Sequence, residues 1–247
     1  MFPVICKIGP FSIFSYGLML AIAFMVASWL GGIRAKKEGI SPDIIFNLCF
    51  IGVVFGIVGA RIFYVLENLK YYSRYPGEII MLQNGGLSWF GGLILGSLSG
   101  VIYLIKSKIS VYRALDIMAP YLALAQAIGR IGCLLNGCCF GKESVFGIYF
   151  PVQDAVLIPI QIYSSLLLLG IFIVLRNWQE KVHQTGEIFF AYLFLYSIKR
   201  FFVEFWRADN PPVYWGLTLF QLISIAIFFL AGYKLAMIRF KKGGKYV

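Results

Sequence analysis

The sequence predicts an all-α integral membrane protein of about seven transmembrane helices, and three observations carry that reading. Hydrophobic residues fill 60% of the 247 positions and charged residues 13%, with a mean hydropathy of +0.82, where soluble domains run near one half and one quarter. Apolar stretches of about 20 residues, the length that crosses a bilayer core, recur along the chain. Basic residues gather on alternate connections between those stretches, as cytoplasmic loops do. No stretch is left for a sizeable soluble domain, so residues 1–247 read as a single integral membrane domain.

The first span is expected over Phe11–Ile33, with Tyr16 of YGLMLA near its start. The opening MFPVICKIGP has neither the charged start nor the small-residue cleavage site of a secretory signal, so this segment is expected to stay as a helix. The second span, Ile44–Leu66, carries Arg61. A charge inside lipid costs about 2.5–3.5 kcal/mol on insertion scales, which asks for a partner; Glu67 or Glu204 would make Arg61 a structural strut, with a direct ligand role as the alternative. The third, Gly86–Ile105, sets Gly91, Gly92, Gly96 and Gly100 along one side, which suits close helix packing. A lipid groove is the alternative there, with Trp89 and Phe90 at headgroup depth.

The fourth span, Ala114–Leu135, runs into GRIGCLLNGCCFG, where Arg130 stands among Gly129, Gly132 and Gly137 with Asn136 nearby. Those glycines let a ligand or a neighbouring helix come close; a snorkelling side chain is the plainer reading. The fifth, Leu157–Leu175, opens on PIQIY with Gln161 at its start. The sixth, Glu187–Trp206, carries Arg200 and Glu204, and Arg207 just beyond; at i, i+4 and i+7 they share one helical face. Two cations around one anion suit a phosphate site, and suit equally an ion-pair network that packs helices. The seventh is Trp215–Ile238.

Thirteen of the 22 Lys and Arg residues lie on four connections: Arg34, Lys36 and Lys37; Lys106, Lys108 and Arg113; Arg176 and Lys181; and a tail with Lys234, Arg239, Lys241, Lys242 and Lys245. This explains the net charge of +11 by topology and without nucleic acid. The N-terminus is then expected outside and the C-terminus in the cytoplasm, with the loops Lys70–Gly86, Cys138–Val156 and Ala208–Tyr214 framing any outward-facing chemistry. Cys6, Cys49, Cys133, Cys138 and Cys139 lack paired zinc spacings, so no metal is expected. Cys133, Cys138 and Cys139 read as small buried hydrophobes near a helix end, with a disulfide as the alternative. The lone His183 reads as a cytoplasmic loop residue, which leaves no histidine on the outer face.

In order along the chain, YGLMLA at Tyr16, GGLSWFGG at Gly85, GRIGCLLNGCCFG at Gly129, PIQIY at Pro159, RFFVEFWR at Arg200 and GLTLFQLIS at Gly216 resemble the prolipoprotein diacylglyceryl transferase family. The resemblance implies seven spans in a bacterial cytoplasmic (inner) membrane, with the topology already expected from charge. It implies transfer of diacylglyceryl from phosphatidylglycerol to the lipobox cysteine thiol of a preprolipoprotein, giving a thioether and glycerol phosphate. Its partners would be phosphatidylglycerol, lipobox peptides and membrane lipids. It calls for no cofactor, because nucleophile and leaving group both arrive with the substrates.

By the same resemblance Arg130, Asn136 and Tyr16 would bind phosphatidylglycerol, and Arg200, Glu204 and Arg207 would line the catalytic cavity. Arg130 and Arg200 would share the phosphate, while Arg207 or Glu204 steers the peptide. Cations lower the thiol pKa from about 8.5, and guanidinium groups stabilise charge on a departing phosphate. Many family members carry histidine in the place of Phe90, and asparagine and an acidic residue in the places of Cys133 and Cys138. Ile158 and Ser164 stand where a histidine and a glutamate are often found. These departures imply a branch that relies on arginine electrostatics, or a paralogue with a changed substrate or none. A small transporter is the rival class, and would run its charges across the membrane midplane.

Overall fold

The computed structural model describes residues 1–8, 11–81 and 85–243. Lys245 of the basic tail and part of the Lys70–Gly86 loop lie outside the described residues. Among those residues the long helices are α1 (Ser15–Lys37), α2 (Pro42–Glu67), α4 (Trp89–Lys106), α5 (Val111–Asn136), α6 (Ile160–Gln179), α7 (Glu187–Glu204) and α8 (Leu219–Gly243). All but α7 are long and apolar enough to cross a bilayer. Helix α7 carries Glu187, Lys199, Arg200 and Glu204, yet Glu187, Lys199 and Glu204 are buried. Burial against protein, with partners, offsets the cost of those charges.

The remaining elements sit in connections. They are the one-turn helix α3 (Leu69–Tyr72), a 3-10 turn Pro76–Ile80, and the antiparallel pairs β1 (Val4–Ile8) with β2 (Phe11–Phe14), β3 (Glu143–Phe150) with β4 (Ala155–Leu157), and β5 (Pro212–Tyr214) with β6 (Leu217–Thr218). The chain divides into two compact units, one of Gly31–Ala114 and one of Met1–Leu30 with Leu115–Val247.

In the Gly31–Ala114 unit, Ser41 starts α2 by accepting the Asp43 N–H at 3.3 Å, with Pro42 at the first helical position. Helices α2 and α4 cross backbone to backbone at Gly59 and Gly91. A Cβ on Gly91 would lie 2.3 Å from the Gly59 carbonyl oxygen, and one on Gly59 would lie 2.4 Å from that of Gly91. The glycines of α4 therefore serve helix packing, as their spacing predicts. Arg61 is a strut without a carboxylate. Its guanidinium donates to the carbonyls of Glu78, Ile79, Met81, Gly85 and Gly86 at 2.5 to 3.2 Å and lies against the rings of Tyr64 and Tyr72. Glu67 instead accepts from Ser88. A guanidinium has five donors, and these five carbonyls offer more acceptors than either acid.

In the other unit, α5, α6 and α7 share an apolar core of Ala119, Ala123, Ile171, Leu175, Ile188, Ala191 and Tyr192. At one end of it, buried Asp116 accepts the N–H groups of Gly186 and Phe189, the latter at 2.8 Å, and so caps the start of α7. At the other end α5 and α7 both stop, and their exits form the site.

Candidate active site

Helix α5 ends in a Schellman motif. Gly137, at φ +74°, donates to the Leu134 carbonyl at 3.1 Å, and the Cys138 N–H reaches back to Cys133 O at 3.1 Å. That motif sets the side chains of Cys133 and Cys138 against each other. Cys139 then adopts φ +59°, a left-handed conformation rare outside glycine, and the Sγ atoms of all three cysteines lie within 4.8 Å of one another. All three are free thiols. The turn is held by Gln153 Nε2 to Gly137 O (3.1 Å) and by Nε2 of fully buried Gln161 to Cys138 O (2.7 Å). Hydrogen bonds from Cys133 and Cys138, with the charges of Arg207 and Arg130, push the Cys139 thiol well below its usual pKa against the effect of burial.

Helix α7 stops at Glu204, so Arg207 stands in the following turn, with its N–H bonded to Glu204 O at 3.2 Å. The shared helical face expected for the three charges is completed by that turn. Glu204 is 2% exposed and is the hub. Its Oε2 lies 3.1 Å from Arg200 Nη2 and 3.9 Å from Arg207 Nε, while Oε1 accepts from Asn210 Nδ2 at 2.6 Å and Thr218 Oγ1 at 3.1 Å. Arg207 gives its fork to Asp209, with Nε to Oδ1 at 2.8 Å. Burial acts to lower the pKa of Arg207, but the Asp209 carboxylate outweighs it and holds the pKa above the usual value. Arg200 lies 4.5 Å over the Phe220 ring, and Lys199 is buried against Tyr196.

Thr218 also opens α8 as half of a capping box. Gln221 N donates to Thr218 Oγ1 at 3.3 Å, and Thr218 N donates to Gln221 Oε1 at 2.9 Å. The two exits are stitched by Lys142 N to Trp206 O at 2.9 Å and by the bridge between Gly141 and Arg207. Between them opens a cavity of about 420 Å³ whose lining includes Lys142, Glu204, Arg207, Asn210, Thr218 and Gln221.

The structure thus gathers Arg200, Glu204 and Arg207 at the exit of α7, with Glu204 and Arg207 lining the cavity, and sets Arg130, Asn136 and Tyr16 about the three thiols, outside that lining. Tyr16, at the start of α1, lies within electrostatic reach of Arg130 and the three thiols. Gly132 leaves the room: a Cβ there would lie 3.4 Å from the Tyr16 ring and 2.9 Å from Met19. Asn136 interacts with the Cys138 thiol. Half-buried Arg130 has neither a hydrogen bond nor an ion pair among the described residues, although Lys199 and Arg200 lie within its electrostatic reach. Sequence reasoning missed Asp209, Asn210, Thr218 and Gln221. The signals were present, in DNPP as a turn after the arginine and in T-x-x-Q as a capping box.

A family model described as prolipoprotein diacylglyceryl transferase matches residues 3–237. The phosphatidylglycerol–prolipoprotein diacylglyceryl transferase of Clostridium tetani is 33% identical, over 98% of this chain and 100% of its own length. The protein named transferase 2 of that activity from Clostridium perfringens is 35% identical, over 98% and 97%. The one from Streptococcus pyogenes serotype M1 is 34% identical, over 99% and 98%. With the membrane helices and the polar cluster at the exits of α5 and α7, these matches establish that the chain belongs to the prolipoprotein diacylglyceryl transferase family.

Proposed function

We propose that this protein transfers the diacylglyceryl group of phosphatidylglycerol to the cysteine thiol of a preprolipoprotein lipobox, as the first step of bacterial lipoprotein maturation. The thiol sulfur bonds to the glyceryl carbon that carries the phosphate. The carbon–oxygen bond breaks, its electron pair leaves with glycerol phosphate, and the thiol gives up its proton. The protein works as a multi-pass protein of the bacterial cytoplasmic membrane, N-terminus outside and C-terminus in the cytoplasm.

The observation that supports this best is Arg130, a half-buried guanidinium with no hydrogen bond or ion pair among the described residues and with Lys199 and Arg200 close by. A cation left without an acceptor in a poorly solvated place is a receptor for an anion. Arg130 and Arg200 hold the phosphate, and Tyr16 and Asn136 flank it. Glu204 fixes Arg200 and faces Arg207. Because Asp209 already takes the fork of Arg207, Arg207 borders the cavity and directs the peptide. Glu204 accepts from Asn210 and Thr218 through Oε1 and turns Oε2 toward the two guanidinium groups. Against transport speaks the apolar core of α5, α6 and α7, which parts the charges at Asp116 from those at Glu204.

The test is transfer of labelled diacylglycerol from phosphatidylglycerol to a synthetic lipobox peptide by purified protein in detergent. Arg130→Ala should fold normally and lose about 10²- to 10³-fold in rate, the range for removing one donor from a developing anion. Full activity in that variant refutes the headgroup assignment, and no thioether from the folded parent refutes the function.

A further inference from the structure

The linear spacing C-x₄-C-C conceals a convergence. The thiols of Cys133, Cys138 and Cys139 lie within 4.8 Å of one another. Zinc–sulfur bonds of about 2.3 Å in a tetrahedron set sulfur atoms about 3.8 Å apart, so a small side-chain adjustment brings all three onto one ion. A disulfide, at about 2.05 Å, would use two of the sulfurs and leave the third over.

The cluster is built. A Schellman cap accounts for contact between Cys133 and Cys138, but not for Cys139, which needs φ +59° to turn inward. Two glutamine side chains hold the turn by its carbonyls, and one of them, Gln161, is 0% exposed. Three thiolates around a divalent cation carry one net negative charge, and Arg130 and Arg207 both lie within electrostatic reach of Cys139.

No histidine stands at the site to accept the proton of the proposed reaction. The sole histidine, His183, lies three residues before Gly186, which is bonded to Asp116 near the start of α5. Cys133 is about 25 Å further along that helix at 1.5 Å per residue. A metal-bound thiol loses its proton outright.

We propose that Cys133, Cys138 and Cys139 form a trithiolate site for one thiophilic divalent cation of the Zn²⁺ type, with the fourth position open to the substrate peptide's thiol. This rests on the transferase reading given above. Binding the ion displaces to solvent the protons that the three thiols still carry. The peptide thiol then joins as fourth ligand and releases its own proton, and its sulfur bonds to the glyceryl carbon as glycerol phosphate departs. The neutral thioether, a weaker ligand, leaves the metal.

The experiment is titration of the reduced, chelator-treated full chain in detergent with Co²⁺, read by the thiolate-to-cobalt charge-transfer band. One equivalent should bind, and Zn²⁺ should displace it. Cys133→Ser, Cys138→Ser and Cys139→Ser should each lose the band, while Cys49→Ser, in α2, keeps it. A lipobox peptide should intensify the band and its Cys→Ser version should not, a readout that needs no turnover. Transfer should fall at least tenfold in metal-free protein and return with Zn²⁺. No band, a band that survives each single substitution, or a spectrum blind to the peptide overturns the proposal. Thioether formed at full rate by metal-free protein also overturns it and leaves the transferase reading standing. A peptide-sensitive band with no thioether under any condition supports the site and refutes the reading instead.

Discussion

Replacing Glu204 by glutamine keeps the shape of the hub and removes its charge. At an effective dielectric of about 20, a carboxylate 3.1 Å from one guanidinium and 3.9 Å from another gains ~5 and ~4 kcal/mol of Coulomb energy. Most of this offsets desolvation, and removing one partner of a buried pair costs about 3–5 kcal/mol in practice. Glutamine can still accept from Asn210 and Thr218 through one oxygen, but its amide then points donors at Arg200. The loss should therefore fall near the lower end, about 3 kcal/mol. For a chain of this size that lowers the melting midpoint by about 6–12 °C. The assay is thermal unfolding of the purified protein in detergent, with Glu67→Gln as control, since exposed Glu67 accepts, among the described residues, only from Ser88. A drop below about 2 °C for Glu204→Gln, or one no larger than the control's, would refute the idea that this carboxylate holds the two arginines in place.

Further outcomes follow from the same geometry. Gly91→Ala, whose Cβ would meet a carbonyl oxygen at 2.3 Å, should cost at least the ~1–3 kcal/mol of an overpacked core, whereas Gly52→Ala, with nothing within 4 Å, should be neutral or stabilising; melting midpoints decide. Arg61→Lys keeps the charge but cannot reach five carbonyls, and should cost about 2 kcal/mol or more, seen as faster proteolysis between residues 73 and 88. Asp116→Ala removes the cap of α7 and should cost about 1–2 kcal/mol. Its transfer rate per folded molecule should be unchanged, because Asp116 lies at the far end of α5 from Cys133.

What was legible in the sequence and what was not divide along one physical line. In a lipid-spanning helix every backbone polar group is satisfied within its own segment, so the apolar stretches of about 20 residues read as helices, and the glycine stripe of α4 read as a place of close approach. Side-chain periodicity carries that far. It fails where the chain leaves the helix, because there the partners are backbone groups and turn residues that periodicity does not see. The pattern pairs Arg61 with acids, yet carbonyls of the segment after α2 hold it. The i, i+4, i+7 spacing extends a helical face to Arg207, whereas the helix ends three residues earlier and the acid that takes its fork, Asp209, lies in the turn itself. Cys133 and Cys138 are five apart, a spacing without meaning on a helical wheel, and a Schellman cap makes them neighbours. Leaving a helix at membrane depth is costly unless other groups take over the freed N–H and C=O bonds. The two exits after Asn136 and Glu204 have their carbonyls and amides claimed by Gln153, Gln161, Lys142 and Trp206. The fold sustains irregular backbone there because two glutamine side chains and a backbone bond between the exits are committed to it, and at those same exits Arg207 and the three thiols converge.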